Sequence, residues 1–164
     1  MKESFDKRPH LSLSESSIKK ALFFLILLII LFLVILCRRR KAPNFRLNTN
    51  MDYYSYLQKG NNILFFWSAY CPHCKETLKL FEENSNDWLN NHLLTVSIDD
   101  TKKEVEDWAG KVPLYLDFDK SISKLYNIEN IPTAFIVNKH GDIVEKGVGE
   151  KAASFLINKY YLRE

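Results

Sequence analysis

Hydrophobic positions in this chain fall into one long unbroken block near the N-terminus and a series of short blocks after residue 50. Ala21 to Leu36 (ALFFLILLIILFLVIL) contains no charge, glycine or proline. As a helix this run reaches ~24 Å, slightly less than a hydrocarbon core of ~30 Å. Ile18 and Cys37 extend it, and Lys19, Lys20 and Arg38 can snorkel from its ends. The core helix of a soluble domain keeps a polar side, which this block lacks. The pattern therefore predicts a transmembrane anchor over residues 21–37, contacting the lipid bilayer and preceded by a disordered polar tail over residues 1–20. A cleavable signal peptide or a lipoprotein site would need small residues near its end. Ile35, Leu36, Cys37 and Arg38 are not such a pattern, so the anchor is read as uncleaved and Cys37 as an inert boundary thiol.

Residues 38–50, with Arg38 to Lys41, Pro43 and several asparagines, read as a basic linker. From residue 51 to 164 the period changes from element to element. Met51 to Lys59 has helical spacing and ends at Gly60. Asn62 to Trp67 (NILFFW) is apolar throughout, as in a strand covered on both faces. Ser68-Ala69-Tyr70 is a turn, and a helix opens at or near Cys71 with Pro72 in its first turn. Leu78 and Phe81 give that helix an apolar face, which fades around Asn84 to Asn86. Leu93 to Ile98 is a second strand. Thr101 opens a helix to about Ala109, with Glu104 at capping-box spacing. Leu114 to Leu116 is a short strand and Ser121 to Tyr126 a short helix. Thr133 to Val137 and Ile143 to Val148 form a hairpin around Asn138 to Asp142. Glu150 to Tyr161 closes the chain as an amphipathic helix with Phe155, Leu156 and Tyr160 on its buried side. This order implies an α/β domain, a central mixed sheet flanked by helices on both faces.

Charge narrows the partners. A net charge of +3 without a basic stripe in the folded part excludes a nucleic-acid partner. It does not orient the anchor: five Lys/Arg precede the apolar block (Lys2, Lys7, Arg8, Lys19, Lys20) and five come after it (Arg38, Arg39, Arg40, Lys41, Arg46).

Three cysteines are too few for a disulfide framework, but two of them form Cys71-Pro72-His73-Cys74. The attacking species in disulfide exchange is the thiolate, a minor form of a free cysteine at neutral pH. A sulfur at a helix N-terminus meets unpaired N–H groups and the positive end of the macrodipole, both of which favour the anion. Cys71 takes that place as candidate nucleophile, and Cys74, one turn later, is placed to resolve a mixed disulfide. Pro72 removes a backbone donor and fixes the turn. His73 is either a tuner of the thiolate, when protonated, or an ordinary exposed histidine. A zinc site needs about four ligands. No second cysteine pair exists and His73, His92 and His140 are scattered, so no metal or other cofactor is expected.

With these residues in view, the chain resembles the thioredoxin superfamily, and within it the membrane-anchored TlpA/ResA-like thiol–disulfide oxidoreductases. The resemblance is carried by Phe66 to Cys74 (FWSAYCPHC), by Tyr126-Asn127-Ile128 with Ile131 to Val137 (IPTAFIV), and by His140 to Ile143. It implies a thioredoxin-like fold over about residues 50–162 and a cis peptide at Ile131-Pro132 facing the cysteines. It also implies client contact through the Ile131–Pro132 loop and through Trp67, Tyr70 and Pro72. Thr101 to Leu116 corresponds to the insertion this subfamily adds to plain thioredoxin. The implied partners are client proteins with cysteine pairs and an upstream membrane thiol–disulfide electron carrier. The implied location is the cytoplasmic membrane of a bacterium, with the domain facing the periplasm or cell exterior.

The departures from the family pattern bear on direction. Tyr70 replaces the usual Trp, Thr77 and Lys79 replace a Glu and a Pro, and Phe65 replaces thioredoxin's buried Asp. Glu76 or water is left to handle the proton. Pro-His between the cysteines is the pair of Dsb-type oxidases, whereas the surrounding frame is that of a reductase or maturation factor, cytochrome c maturation included. Thioredoxin-like potentials from about −270 to −120 mV span roughly 7 kcal/mol. The competing functions are therefore a reductant, a Dsb-like oxidant, and a non-catalytic tethered binding module on the same fold.

Overall fold

The computed structural model describes residues 15–36, 40–47, 50–99 and 101–161. Cys37 and the first fourteen positions lie outside the described residues. The chain divides into two units, residues 1–38 and 39–164.

In the first unit, helix α1 runs Glu15–Leu36. Its Glu15–Leu33 stretch has a mean hydropathy of 2.3 and none of its most apolar window is buried, so by length and composition it can cross a membrane. The helix begins earlier than the apolar block: residues 15–20, read from sequence as part of a disordered tail, are helical, and Lys19 lies 3.7 Å from Glu15 one turn back.

The second unit is built on a five-stranded sheet of order β3-β2-β1-β4-β5. The strands are β1 Asn61–Trp67, β2 Leu93–Ser97, β3 Leu114–Leu116, β4 Thr133–Asn138 and β5 Ile143–Val148. β1, β2 and β3 are parallel neighbours, while β4 and β5 run antiparallel, with Phe65 opposite Ala134. Side chains alternate across a strand, so the all-apolar β1 feeds two cores. Ile63, Phe65 and Trp67 join Leu78 and Phe81 of α3 (Pro72–Glu83), Leu89 of α4 (Asp87–His92) and Ala153 and Ile157 of α6 (Glu150–Tyr161). Leu64 and Phe66 face the other way, onto Tyr53 of α2 (Tyr53–Tyr56), Ile122 of α5 (Ser121–Leu125) and Tyr126. The result is the thioredoxin-like arrangement, a mixed sheet with helices on both faces.

Several elements differ from the sequence reading, each for a local reason. The helix expected over Met51 to Lys59 is the single turn α2, capped by the Asp52 carboxylate on the Ser55 N–H (3.0 Å). It stops because the Gln58 N–H turns to the Asn62 side chain (2.9 Å). Thr101 and Glu104 do meet, the threonine N–H and hydroxyl both donating to the Glu104 carboxylate (2.8 and 3.1 Å), but the segment they open is a 3-10 helix, Lys103–Trp108. The Asn/Ser stretch that looked like a fading helix end is the cap of α4, with the Asn86 side chain accepting the Leu89 N–H (2.8 Å). Among the described side chains of α6, Ala153 and Ile157 are buried and half-buried Tyr160 packs on the same core, whereas Phe155 is 61% exposed; Leu156 lies outside the described side chains.

Residues 40–47 are not a free linker. Ala42 is fully buried and Phe45 nearly so, stacked on Tyr53 at 4.9 Å. Two tyrosines hold the strap by its carbonyls, Tyr54 donating to Ala42 (2.6 Å) and Tyr126 to Pro43 (2.7 Å). Lys41 pairs with Asp142 at 2.7 Å, and the Ala42 N–H donates to the Gly141 carbonyl (2.8 Å).

Candidate active site

The site grows from the C-terminal end of β1. Strand β1 is central, so its last residue is fixed on both sides, pairing Trp67 with Ser97 of β2 and Phe66 with Thr133 of β4. The chain then turns through Ser68, Ala69 and Tyr70 and enters α3. The Cys71 N–H donates to the Ser68 carbonyl at 3.1 Å, closing the turn. Cys71 is the N-cap of α3, in extended conformation (φ −93°, ψ 110°), and Pro72 sits at the first helical position, where its missing N–H costs nothing.

The Cys71 sulfur accepts the Cys74 N–H at 3.2 Å, taking up a donor that a helix start otherwise leaves unpaired. Cys71 and Cys74 are joined as a disulfide with Cα atoms 5.2 Å apart. Cys74 is fully buried, on the side of α3 that carries Thr77, Leu78 and Phe81, whereas Cys71 is half-exposed. Of the two sulfurs, Cys71 is the one an incoming group can reach.

Around this pair the structure distributes the residues expected at the site unevenly. His73 is exposed, its Nδ1 3.0 Å from Glu150 at the start of α6 and 3.7 Å from Glu76 on its own helix. The ligand atoms of these three residues lie within 4.8 Å of one another. Exposed pairs of this kind are each worth no more than ~1 kcal/mol. Glu76 points into solvent beside His73, while Cys74 is buried. The Ile131–Pro132 peptide is cis. Pro132 is buried, its carbonyl accepts the Gly149 N–H at 2.8 Å, and half-buried Ile131 packs on both cores. Pro132 and Glu150 thus flank one short junction, where β5 gives way to α6.

Tyr70 is 74% exposed, with its hydroxyl donating to Glu104 at 2.6 Å. Glu104 lies on the 3-10 helix, so that segment holds the ring of the residue that precedes Cys71. Pro72 is exposed as well. Trp67 is different. Expected on the client-facing surface, it is fully buried and packs edge-on to Trp108 at 6.2 Å. The strand's alternation puts it on the same side as Ile63 and Phe65, beneath the turn rather than on it.

Sequence reasoning overlooked three groups that the fold brings here. Glu104 and Glu150 reach Tyr70 and His73 from distant segments. Asp99, just past β2, is buried and accepts the Ser68 hydroxyl (2.6 Å), the Ser97 hydroxyl (2.6 Å) and the Ala69 N–H (2.8 Å). One signal pointed to Asp99: in sheets of this kind, sites gather at the carboxyl ends of adjacent parallel strands.

A family model described as the AhpC/TSA family matches residues 39–146. Sporulation thiol-disulfide oxidoreductase A of Bacillus subtilis is 33% identical over 103 residues, covering 57% of this chain and 62% of that protein. Thiol-disulfide oxidoreductase ResA of Bacillus cereus is 26% identical over 100 residues, covering 57% and 58%. The matched region thus spans less than two thirds of either relative. The crystal structure of StoA from Bacillus subtilis superposes with a TM-score of 0.53 at 29% identity, covering 70% of this chain and 94% of that one.

Proposed function

Because the chain belongs to the AhpC/TSA family and carries a half-exposed Cys71 disulfide-bonded to a buried Cys74 at the head of α3, we propose that it is a membrane-tethered thiol–disulfide oxidoreductase acting on cysteine pairs of client proteins. The observation that carries this reading is the unequal exposure of the two sulfurs at a helix N-terminus. The names of its relatives in Bacillus support it.

In the reducing direction, the Cys71 thiolate attacks one sulfur of a client disulfide. A Cys71–client bond forms, the client S–S bond breaks, and the departing client thiolate takes up a proton. Cys74 then loses its proton and attacks the Cys71 sulfur. The intramolecular disulfide forms, the mixed disulfide breaks, and the second client thiolate leaves and is protonated. Two electrons and two protons have passed to the client, and an upstream membrane thiol–disulfide carrier restores the dithiol. Run backwards, the same steps oxidise a client. His73 lies next to the reacting pair, and Tyr70, Pro72 and the Ile131–Pro132 loop form the surface on which an extended client segment is received.

We assign the reducing direction, as a reductase or maturation factor, because the frame around the motif is that of the ResA-like relatives. The oxidant reading is favoured by one feature, the Pro72-His73 pair. Helix α1 supplies the anchor, and the domain faces the periplasm or cell exterior.

The test is Cys74→Ala in the full chain, with isolation of the adducts that accumulate. Mixed disulfides on Cys71 are expected, lost when Cys71 is also replaced. Their absence would refute the exchange reading. Alkylation trapping in intact cells then fixes direction: mostly dithiol for a reductant, mostly disulfide for an oxidant.

A further inference from the structure

Asp99 is a buried carboxylate, 4% exposed, that the exchange steps above do not use. Three donors converge on it. Its Oδ1 accepts the Ser68 hydroxyl, and its Oδ2 accepts both the Ala69 N–H and the Ser97 hydroxyl. Its own N–H donates to the Ser97 oxygen at 3.1 Å, which holds the carboxylate over the end of β2. The Ser68 oxygen in turn accepts the Tyr70 N–H at 3.1 Å. Every residue of the turn between β1 and Cys71 is therefore tied, directly or through one hydroxyl, to this single side chain on the neighbouring strand.

The next bond in the series reaches the chemistry. The Ser68 carbonyl receives the Cys71 N–H, and Cys71 so placed accepts the Cys74 N–H on its sulfur. Both Asp99 oxygens are occupied as acceptors, by two hydroxyls and one backbone N–H, so the group ties the turn to the end of β2. A carboxylate with three short bonds is also a costly thing to bury unless its geometry is fixed.

We propose that Asp99 is a positioning residue for the attacking sulfur: it clamps the Ser68–Tyr70 turn so that Cys71 stays at the N-cap of α3, where the helix N–H groups favour its thiolate. The inference rests on the exchange reading for its functional meaning, but its test does not require a client. Asp117 provides the internal comparison. It is equally buried, and accepts the N–H groups of Ile122 (3.0 Å) and Ser123 (2.7 Å), but at α5 rather than at the turn.

The experiment is iodoacetamide alkylation of Cys71 in the reduced full chain across pH, read by mass spectrometry, for the parent, Asp99→Asn and Asp117→Asn. Asp99→Asn is expected to slow alkylation at neutral pH about fivefold, the factor one lost hydrogen bond is worth. Its pH midpoint should move up. The reduction potential should become more negative, since only the reduced form loses a stabilised thiolate. Asp117→Asn lowers the unfolding temperature and leaves both readouts at parent values. An unchanged profile in Asp99→Asn, a downward midpoint, or an equal change in Asp117→Asn overturns the proposal. If Asp99→Asn does not fold, Ser68→Ala, which keeps the Ala69–Asp99 bond, carries the test: slower alkylation supports the clamp and a parent-like profile overturns it. Failure of the parent chain to exchange with a client disulfide would sink the exchange reading alone, because the alkylation profile is read without one.

Discussion

Replacing Phe45 by Ala decides whether residues 40–47 belong to the folded domain. In a linker such a change stays within about ±0.5 kcal/mol of the parent. In the structure Phe45 is 9% exposed, stacked on Tyr53 and edge-on to Tyr115 and Tyr126 at 6.1 and 6.0 Å. Truncating a buried Phe costs about 3–5 kcal/mol, the spread reflecting how far the site can collapse. Here three of its walls are aromatic rings on separate elements, which cannot close together. The strap, however, lies at the domain's margin and can settle inward. The lower end, about 3 kcal/mol, is the expected loss.

For a folded unit running from residue 39 to 164, that corresponds to a fall of roughly 10–15 °C in Tm. The assay is thermal unfolding of the detergent-solubilised chain by near-ultraviolet circular dichroism, with Phe155→Ala as the matched control. Phe155 is 61% exposed and should cost under about 0.5 kcal/mol. A Phe45→Ala transition within about 2 °C of the parent would refute the docked strap, as would a Phe155→Ala loss of equal size.

Three further outcomes are expected in the same neighbourhood. Gly141 has φ +78°, and a Cβ there would stand 2.6 Å from the Tyr54 ring. Gly141→Ala should therefore lower Tm and, by displacing that ring, cancel most of the additional effect of Tyr54→Phe in a double-mutant cycle; simple additivity would count against the contact. The Asp142 carboxyl is held below its ordinary value, first by the Lys41 hydrogen bond and then by Asn138. A depressed carboxyl stabilises the fold above its unfolded value and loses that contribution as pH falls through its folded one. Asp142→Asn should therefore unfold at a lower temperature than the parent near neutrality, with the gap closing below about pH 4. A gap that persists in acid would exclude the ion pair as its source. Burial pushes the Tyr56 phenol up to about 12. Its contribution is complete below the ordinary tyrosine value and declines as pH rises through the folded one. Alkaline unfolding, monitored by phenolate absorbance, should thus begin above about pH 10 and be delayed in Tyr56→Phe.

The chemistry was legible because it is local. A cysteine pair three apart, with proline between, ahead of an apolar-periodic stretch, places one sulfur at a helix N-terminus, and the structure adds only which sulfur is reachable. The succession of strands along the chain was legible for a related reason, since short apolar runs separated by turn residues limit where a chain can reverse; their order in the sheet was not. What failed involved choosing a face. The resemblance implied client contact through Trp67, but the period-two rule already put it with Ile63 and Phe65 in the core. On α6, Tyr160 packs against the core as expected, but close packing against the sheet also selected Ala153 and Ile157 and turned Phe155 outward. The strap was misread because a stretch of charges and asparagines around Pro43 has no period. Its anchors, Tyr54 and Tyr126, lie on elements downstream.

The groups that tune the site were the least legible of all, and for a physical reason. Glu104 stood out in sequence only as a cap for its own helix and Asp99 only as the residue after β2, and nothing near Glu150 marked it at all. They acquire roles only when β2 pairs with β1, when the insertion folds back to Tyr70, and when α6 starts beside the cis-proline junction. The Pro-His dipeptide therefore does not act alone. His73 meets Glu150 across that junction, and a carboxylate at 3.0 Å offsets the positive charge a protonated histidine would lend the Cys71 thiolate. The surroundings of His73 are thus set by α6 as well as by the dipeptide, and the motif by itself does not carry the whole site.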